Sequence, residues 1–154
     1  MGTIMRFLVQ RVERASVAVD GKVIGSIGKG FLVFVGICEN DSEEIADKMV
    51  KKLIGLRIFE DENNKTNLDL KAVGGQLLII SQFTLYADCK KGNRPSFIHA
   101  GSPETANNLY QYIIHRCRNE IETVEEGSFG AKMEVSLLND GPFTIWLDSK
   151  EICG

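Results

Sequence analysis

Apolar and polar residues alternate through most of the first third of the chain, which predicts strands. Met5 to Val12 reads as one, and a second runs from Ala15 to Val19, where Ala15, Val17 and Val19 alternate with Ser16 and Ala18. Asp20-Gly21 then predicts a hairpin, because a type I′ turn needs positive φ at both central residues. Lys22 to Ile27 forms the return strand, and Gly28 to Gly30 turns the chain again. Phe31 to Ile37 is apolar on both faces, as expected of a strand in the middle of a sheet.

The period then lengthens. Asp41-Ser42-Glu43-Glu44 predicts a helix start, with Asp41 as N-cap and Glu44 at the capping-box position. Ile45, Met49, Leu53 and Leu56 follow at helical spacing, and Lys48, Lys51 and Lys52 take the wet face. Arg57-Ile58-Phe59 reads as a short strand and Asp61 to Lys65 as an acidic turn without the ligand spacing of a calcium loop. Gly74-Gly75 introduces a buried strand from Gln76 to Gln82, and residues 86–98 form a loop. Ser102 as N-cap and Pro103 at the first helical position open a second helix that reaches about Arg118. Its apolar face is Ala106, Leu109, Tyr110, Ile113 and Cys117. Lys132 to Leu138 and Phe143 to Leu147 are the last two strands, joined by a turn at Asp140-Gly141-Pro142. The whole reads as α+β: one domain over 1–154, a compact mixed β-sheet or barrel-like body with two main helices packed on one side.

Composition narrows the function classes. The 154 residues are 44% hydrophobic and 25% charged, as in soluble globular proteins, and the net charge of −3 gives no global pull toward nucleic acid. RNA contact would have to be local, with Lys90, Lys91 and Arg94 in one loop and Arg116 with Arg118 near a helix end as the candidates. Cys38, Cys89, Cys117 and Cys153 form no CxxC or CxxH pattern, which argues against a zinc knuckle or a compact disulfide framework. No metal or other cofactor is expected. Without a signal segment or an apolar run near 18 residues, a cytoplasmic location is expected. The stretch Met1-Gly2-Thr3-Ile4 is assigned no role.

Two segments remain as candidates for chemistry, Ser81-Gln82-Phe83-Thr84 and Asn139-Asp140-Gly141-Pro142-Phe143-Thr144. A hydroxyl such as that of Ser81 or Thr84 is a weak nucleophile without an adjacent base. The two histidines, His99 and His115, show no acid partner in the sequence, so a serine-hydrolase triad is disfavoured. Structural capping of a strand is the alternative role for both hydroxyls. Gly141-Pro142 reads either as a tight turn or as a backbone surface bearing carbonyls with no side chain on the glycine. Arg11 is either an edge-strand surface charge or an anchor donating to the carbonyls of a neighbouring loop.

Taken in order, the motifs Gln-Arg-Val, Ala-Ser-Val-x-Val-Asp-Gly, Leu-Arg-Ile-Phe-Glu-Asp, Ser-Gln-Phe-Thr-Leu-Tyr-Ala-Asp, Lys-Gly-x-Arg-Pro-Ser-Phe, Gly-x-Phe-Gly-Ala and Asn-x-Gly-Pro-x-Thr resemble the D-aminoacyl-tRNA deacylases over nearly the whole chain. The resemblance implies hydrolysis of the ester joining a D-amino acid to the 3′ end of tRNA by a homodimer with a cross-subunit active site. It implies that Gly141-Pro142, through a cis peptide, rejects L-amino acids but not glycine, and that Arg11 holds that segment. Ser81, Gln82, Phe83 and Thr84 would line the reacting ester, with backbone N–H groups around Phe83 and Thr84 binding the carbonyl oxygen. Phe129 and Met133 would stack on the terminal adenine of the tRNA. The chain departs from the family pattern at Phe143, where valine is more usual, and at His99, where a small or acidic residue is expected. Ser81 and Phe83 favour the D-specific type over the related L-alanyl-tRNA-correcting deacylases, which carry Pro and Ala there. A non-catalytic RNA-binding module is the rival from another class; the acidic composition counts against it.

Overall fold

A computed structural model describes residues 4–153; Met1, Gly2, Thr3 and Gly154 lie outside the described residues, and so does most of the short N-terminal stretch noted above. The elements in chain order are β1 (Arg6–Val19), β2 (Lys22–Ile27), β3 (Gly30–Gly36), α1 (Glu43–Gly55), β4 (Phe59–Glu60), β5 (Thr66–Leu68), β6 (Gln76–Ser81), a 3-10 turn (Phe83–Tyr86), α2 (Pro103–Arg118), β7 (Val124–Glu126), β8 (Glu134–Asp148) and α3 (Ser149–Ile152).

The principal sheet is mixed. Its path is β2-β1-β3-β6-β7, with β8 on the remaining edge of β1 and parallel pairing only at β3–β6 and β6–β7. β3 is buried on both faces as its composition predicts: Phe31, Val33 and Val35 join the core under the helices, and Leu32 joins a second, smaller core on the opposite face. β6 does the same with Leu77 and Ile79 against Leu78 and Ile80. Both main helices cover the first face, α1 through Ala46, Met49 and Leu53, and α2 through Leu109, Tyr110 and Ile113. The sheet curls nearly into a barrel. Gly28 N donates to Gln76 Oε1 at 2.8 Å, and a Cβ on Gly25 would lie 3.0 Å from Glu126 O, so the glycine permits β2 to approach β7.

Three expectations need correction. The two strands expected over Met5–Val12 and Ala15–Val19 are the single β1, because bulges facing β8 on either side of Val12 absorb the break in alternation. Phe7 and Val9 therefore face the larger core and Val12, Ala15 and Val17 the smaller one. The helix α1 is capped by Ser42, whose Oγ accepts from Ile45 N at 3.3 Å, and not by Asp41. Asp41 turns inward and accepts from Cys38 N at 2.7 Å, closing the preceding loop. The last two expected strands are also one. Gln10 pairs with Thr144 and Val12 with Asn139, so residues 140–143 bulge out of a continuous β8 and do not reverse the chain. Leu137, Leu138 and Trp146 of β8 are exposed, and the adjacent Leu137 and Leu138 project from opposite faces of the strand.

Candidate functional site

The apolar run of β6 ends at Ser81, where Gln82 N donates to Val35 O at 2.8 Å and the chain tightens into the 3-10 turn. Leu85 N closes on Gln82 O at 3.3 Å and Ala87 N on Thr84 O at 3.1 Å. The N–H groups that open such a turn, here those of Phe83 and Thr84, have no acceptor within it. Beside them lies a cavity of about 610 Å³, walled by Val35, Ile80, Phe83, Phe97, Phe129 and Met133 among others. No charged side chain among the described residues lines it; Ser81 and Gln82 are its polar side chains. Such a chamber suits a flat heterocycle and an uncharged ester better than a phosphate.

Several side chains hold this wall. Arg6 donates from Nη1 to Leu85 O at 2.8 Å, and its guanidinium lies 4.9 Å from the Tyr86 ring centre and 5.6 Å from that of Trp146. Tyr86 donates its hydroxyl to Ile4 O, and burial pushes that phenol far above its ordinary range. Tyr110, buried on α2, donates to Ile79 O at 2.6 Å and accepts from Gly127 N at 3.1 Å, tying the helix to β6 and to the segment that carries Phe129 and Met133. None of Arg6, Tyr86 or Tyr110 was singled out from the sequence as a site residue. The only signal was that Tyr86 falls within the Ser81–Asp88 motif and Tyr110 on the apolar face of α2.

Thr84 is exposed and does not line the cavity. Its Oγ1 accepts from Gln82 Nε2, so the hydrogen-bond partner of that hydroxyl is an amide and not a base. His99 faces the other way: Nε2 pairs with Asp88 at 3.4 Å, and its carbonyl accepts from the Cys38 thiol at 3.3 Å. His115 is exposed on α2. The cysteines are free, and burial pushes the Cys117 thiol up to about 12, which leaves it inert. Among the described residues no group of three His, Cys, Asp or Glu side chains is placed to hold a metal ion. Asp61 instead spends its carboxylate on Asn63 N and Lys65 N at 2.8 and 3.1 Å.

The second candidate segment forms a separate cluster. Arg11 is 5% exposed; Nε donates to Asp140 O at 3.1 Å and Nη1 to Ile58 O at 2.6 Å, and the guanidinium lies 4.6 Å from the Phe143 ring centre. Asn139 closes the neck of the bulge, accepting from Phe143 N at 2.9 Å and donating to Phe143 O at 3.0 Å and Arg11 O at 3.2 Å. The Gly141-Pro142 peptide bond is cis. Gly141 has φ +143°, and a Cβ there would sit 2.9 Å from Phe143 N and 3.3 Å from Arg11 Nη2, so the position requires glycine.

Within one chain the two clusters do not meet. Neither Arg11 nor Gly141-Pro142 lines the cavity. Phe7, Val35 and Ser81 are in register across the sheet, whereas Arg11 is four residues further along β1. That offset is about 13 Å along the strand.

Residues 8–148 match the family model described as D-Tyr-tRNA(Tyr) deacylase. A D-aminoacyl-tRNA deacylase of Clostridium novyi (strain NT) is 57% identical over 96% of this chain and 99% of its own length. One from Thermosipho africanus (strain TCF52B) is 49% identical with the same coverage. Among solved structures, a c-Myc DNA Unwinding Element Binding Protein superposes with a TM-score of 0.87 at 40% identity, covering 92% of this chain and 97% of that one. A structure described as a probable eukaryotic D-amino acid tRNA deacylase has a TM-score of 0.82 at 19% identity over 94% and 99%, a likeness of fold.

Proposed function

The chain belongs to the D-Tyr-tRNA(Tyr) deacylase family, and on that premise we propose that it hydrolyses the ester of D-aminoacyl-tRNA, releasing the D-amino acid and a tRNA with a free 3′ end. The observation that carries this reading is the uncharged cavity that opens beside the donor end of the 83–86 turn. The terminal adenine enters the cavity and stacks on Phe129 and Met133. That places the aminoacyl carbonyl oxygen at the N–H groups of Phe83 and Thr84, with Ser81 and Gln82 alongside. Water, assisted by the terminal ribose 2′-hydroxyl, adds to the carbonyl carbon. The tetrahedral oxyanion is held by the backbone donors, each worth about 3 kcal/mol in such sites. Collapse breaks the bond to the ribose 3′-oxygen, which takes up a proton. An aminoacyl ester is reactive enough that positioning and oxyanion binding suffice without a strong base. The Thr84 hydroxyl, hydrogen-bonded to an amide, has no part as nucleophile.

Gly141-Pro142 acts as the chirality filter. Its backbone excludes the side chain of an L-amino acid and leaves glycine unhindered, so glycyl-tRNA is a substrate as well. Arg11 and Asn139 fix its orientation. Because the bulge and the cavity are separated within one chain, the filter serves the site of a second subunit. The active form is therefore a homodimer, and the exposed Leu137, Leu138 and Trp146 of β8 are the apolar surface available for pairing. The reaction removes D-residues before translation uses them, a role in the cytoplasm; among the described residues no helix is long and apolar enough to cross a membrane.

Incubation with D-Tyr-tRNA, L-Tyr-tRNA and Gly-tRNA tests the reading by loss of the ester. The D- and glycyl esters are expected to be cleaved and the L-ester spared; L-cleavage at a comparable rate sinks the filter. Preference for L-alanyl-tRNA would instead place the chain with the L-alanyl-correcting relatives. A binding-only reading has one observation behind it, since the 40%-identical solved protein is named for binding a DNA element. Such a protein would leave all three esters intact. For the mechanism, Thr84→Ala is expected to retain activity within about tenfold, and near-complete loss with a trapped acyl-enzyme overturns the backbone-donor mechanism.

A further inference from the structure

The cavity has no charge with which to hold a phosphate, yet its rim continues into the most basic loop of an acidic protein. The loop is closed at its base by Asp88 N to Ser96 O at 2.7 Å and Ser96 N to Asp88 O at 2.9 Å. Lys90, Lys91 and Arg94 lie beyond this base, all exposed. Some cations of the molecule are answered by carboxylates, Lys48 by Glu44, Lys71 by Glu120, Arg116 by Asp47 and Arg118 by Glu126, while others, such as Lys51 and Lys52 on α1, have no such partner among the described residues. No carboxylate among the described residues lies within ion-pair distance of Lys90, Lys91 or Arg94. Asp88, the neighbouring acid, already binds Lys90 N through Oδ1 and His99 through Oδ2.

The same loop forms part of the cavity wall. Phe97, three residues after Arg94, lines the cavity, and its ring meets that of Phe83 edge-on with centres 5.0 Å apart. Ile98 beside it is 80% exposed. Unanswered cations next to exposed apolar side chains, at the mouth of an uncharged pocket, are the combination that binds single-stranded nucleic acid: charge tracks the backbone and flat apolar surface takes the bases.

Resting on the deacylase reading of the cavity, we propose that the 88–99 loop is a phosphate-binding element for the single-stranded 3′ end of the tRNA. Lys90, Lys91 and Arg94 neutralise the phosphates that precede the nucleotide held in the cavity, and Ile98 offers its face to an unstacked base. The loop thus supplies the affinity that the acidic molecule as a whole lacks, and does so where the strand enters.

The test is the salt dependence of D-Tyr-tRNA cleavage by the variant Lys90→Ala/Lys91→Ala/Arg94→Ala. KM is expected to rise at least tenfold with kcat within about twofold. The plot of log KM against log salt should become shallower by about 2, since each single-strand phosphate contact contributes about 0.7. Lys90→Arg/Lys91→Arg/Arg94→Lys should keep the original slope. Lys48→Ala/Lys51→Ala/Lys52→Ala, which removes equal charge from α1, should keep it too. With D-tyrosyl-adenosine, which carries no phosphate, the gap between wild type and loop variant should close. An unchanged slope in the loop variant overturns the proposal, as does an equal drop in the α1 variant, which would mean that net charge alone matters. Anisotropy of labelled, uncharged tRNA separates this from the deacylase reading. If wild type cleaves no D-ester but its tRNA binding loses slope in the loop variant, the hydrolase reading falls and the loop stands; cleavage with a loop-independent KM gives the converse.

Discussion

Asp41 shows how a single side chain read correctly as acidic can do other work than its sequence position suggests. The pattern favours Asp41 as the N-cap, because Glu44 stands three residues after it at the capping-box position, whereas Ile45 stands there for Ser42. The fold assigns the cap to Ser42 and buries Asp41, with one carboxylate oxygen on Cys38 N and the other without a partner among the described residues. Burial, reinforced by the charge of Asp148 and opposed by the Cys38 N–H, raises its pKa from 3.8 to about 6. A carboxyl whose folded pKa exceeds its unfolded value binds more protons in the native state, so stability falls as pH rises from about 4 through 6. At pH 7 the ionised group costs about 3 kcal/mol. Thermal unfolding of wild type and Asp41→Asn between pH 4 and pH 7 should show the wild type losing ground to the variant as pH rises. A difference in Tm that stays constant across that window would contradict the burial argument, whatever its size.

At the scale of elements, the 3-10 turn after β6 depends on a residue far from it in sequence. Arg6, on β1, holds the turn by a bond to Leu85 O while its plane lies against Tyr86 and Trp146. It touches no candidate substrate atom and acts as a positioning residue for the donors at Phe83 and Thr84. Arg6→Ala should lower kcat for D-Tyr-tRNA by about tenfold or more with little change in KM, because the lost bond misplaces transition-state donors and not the adenine pocket. Arg6→Lys should restore only part of it, since a lysine lacks the planar fork that both bonds and stacks. Equal kcat in all three proteins would dismiss the role. Local pattern was reliable for α2, whose Ser102 cap and Pro103 start stand where the sequence puts them, and for β3. It failed at β7, too short to show a period, and at β8, where Gly-Pro marks a turn locally but the neighbouring strand holds the chain on course.

For the whole molecule, the separation of bulge and cavity makes a prediction about assembly. Sedimentation at micromolar concentration should give twice the mass of one chain, and Leu138→Glu should shift it to a monomer that has lost both cleavage and discrimination. A monomeric wild type with full activity and D-preference would remove the cross-subunit filter. With cores on both faces of one sheet, the sequence carries no separate apolar stripe that marks an interface. Apolar residues of β8 are needed on the inner face as well, and alternation alone does not say which face a neighbour will cover.

By itself, the sequence determined the central strand, the hairpin at Asp20-Gly21 and the second helix with its cap, because these depend on periodicity and on backbone preferences within a few residues. Through its motifs in order it also determined the family. Only tertiary structure decided that two expected strands are one bent β1 and two more are one bulged β8, since pairing with a common neighbour overrides local turn signals. It alone placed Asn139 against the Arg11 carbonyl, Arg6 behind the 83–86 turn and Tyr110 between helix and cavity wall. Those contacts join residues tens of positions apart or more, and nothing in a local pattern encodes which distant backbone carbonyl a guanidinium or phenol will find.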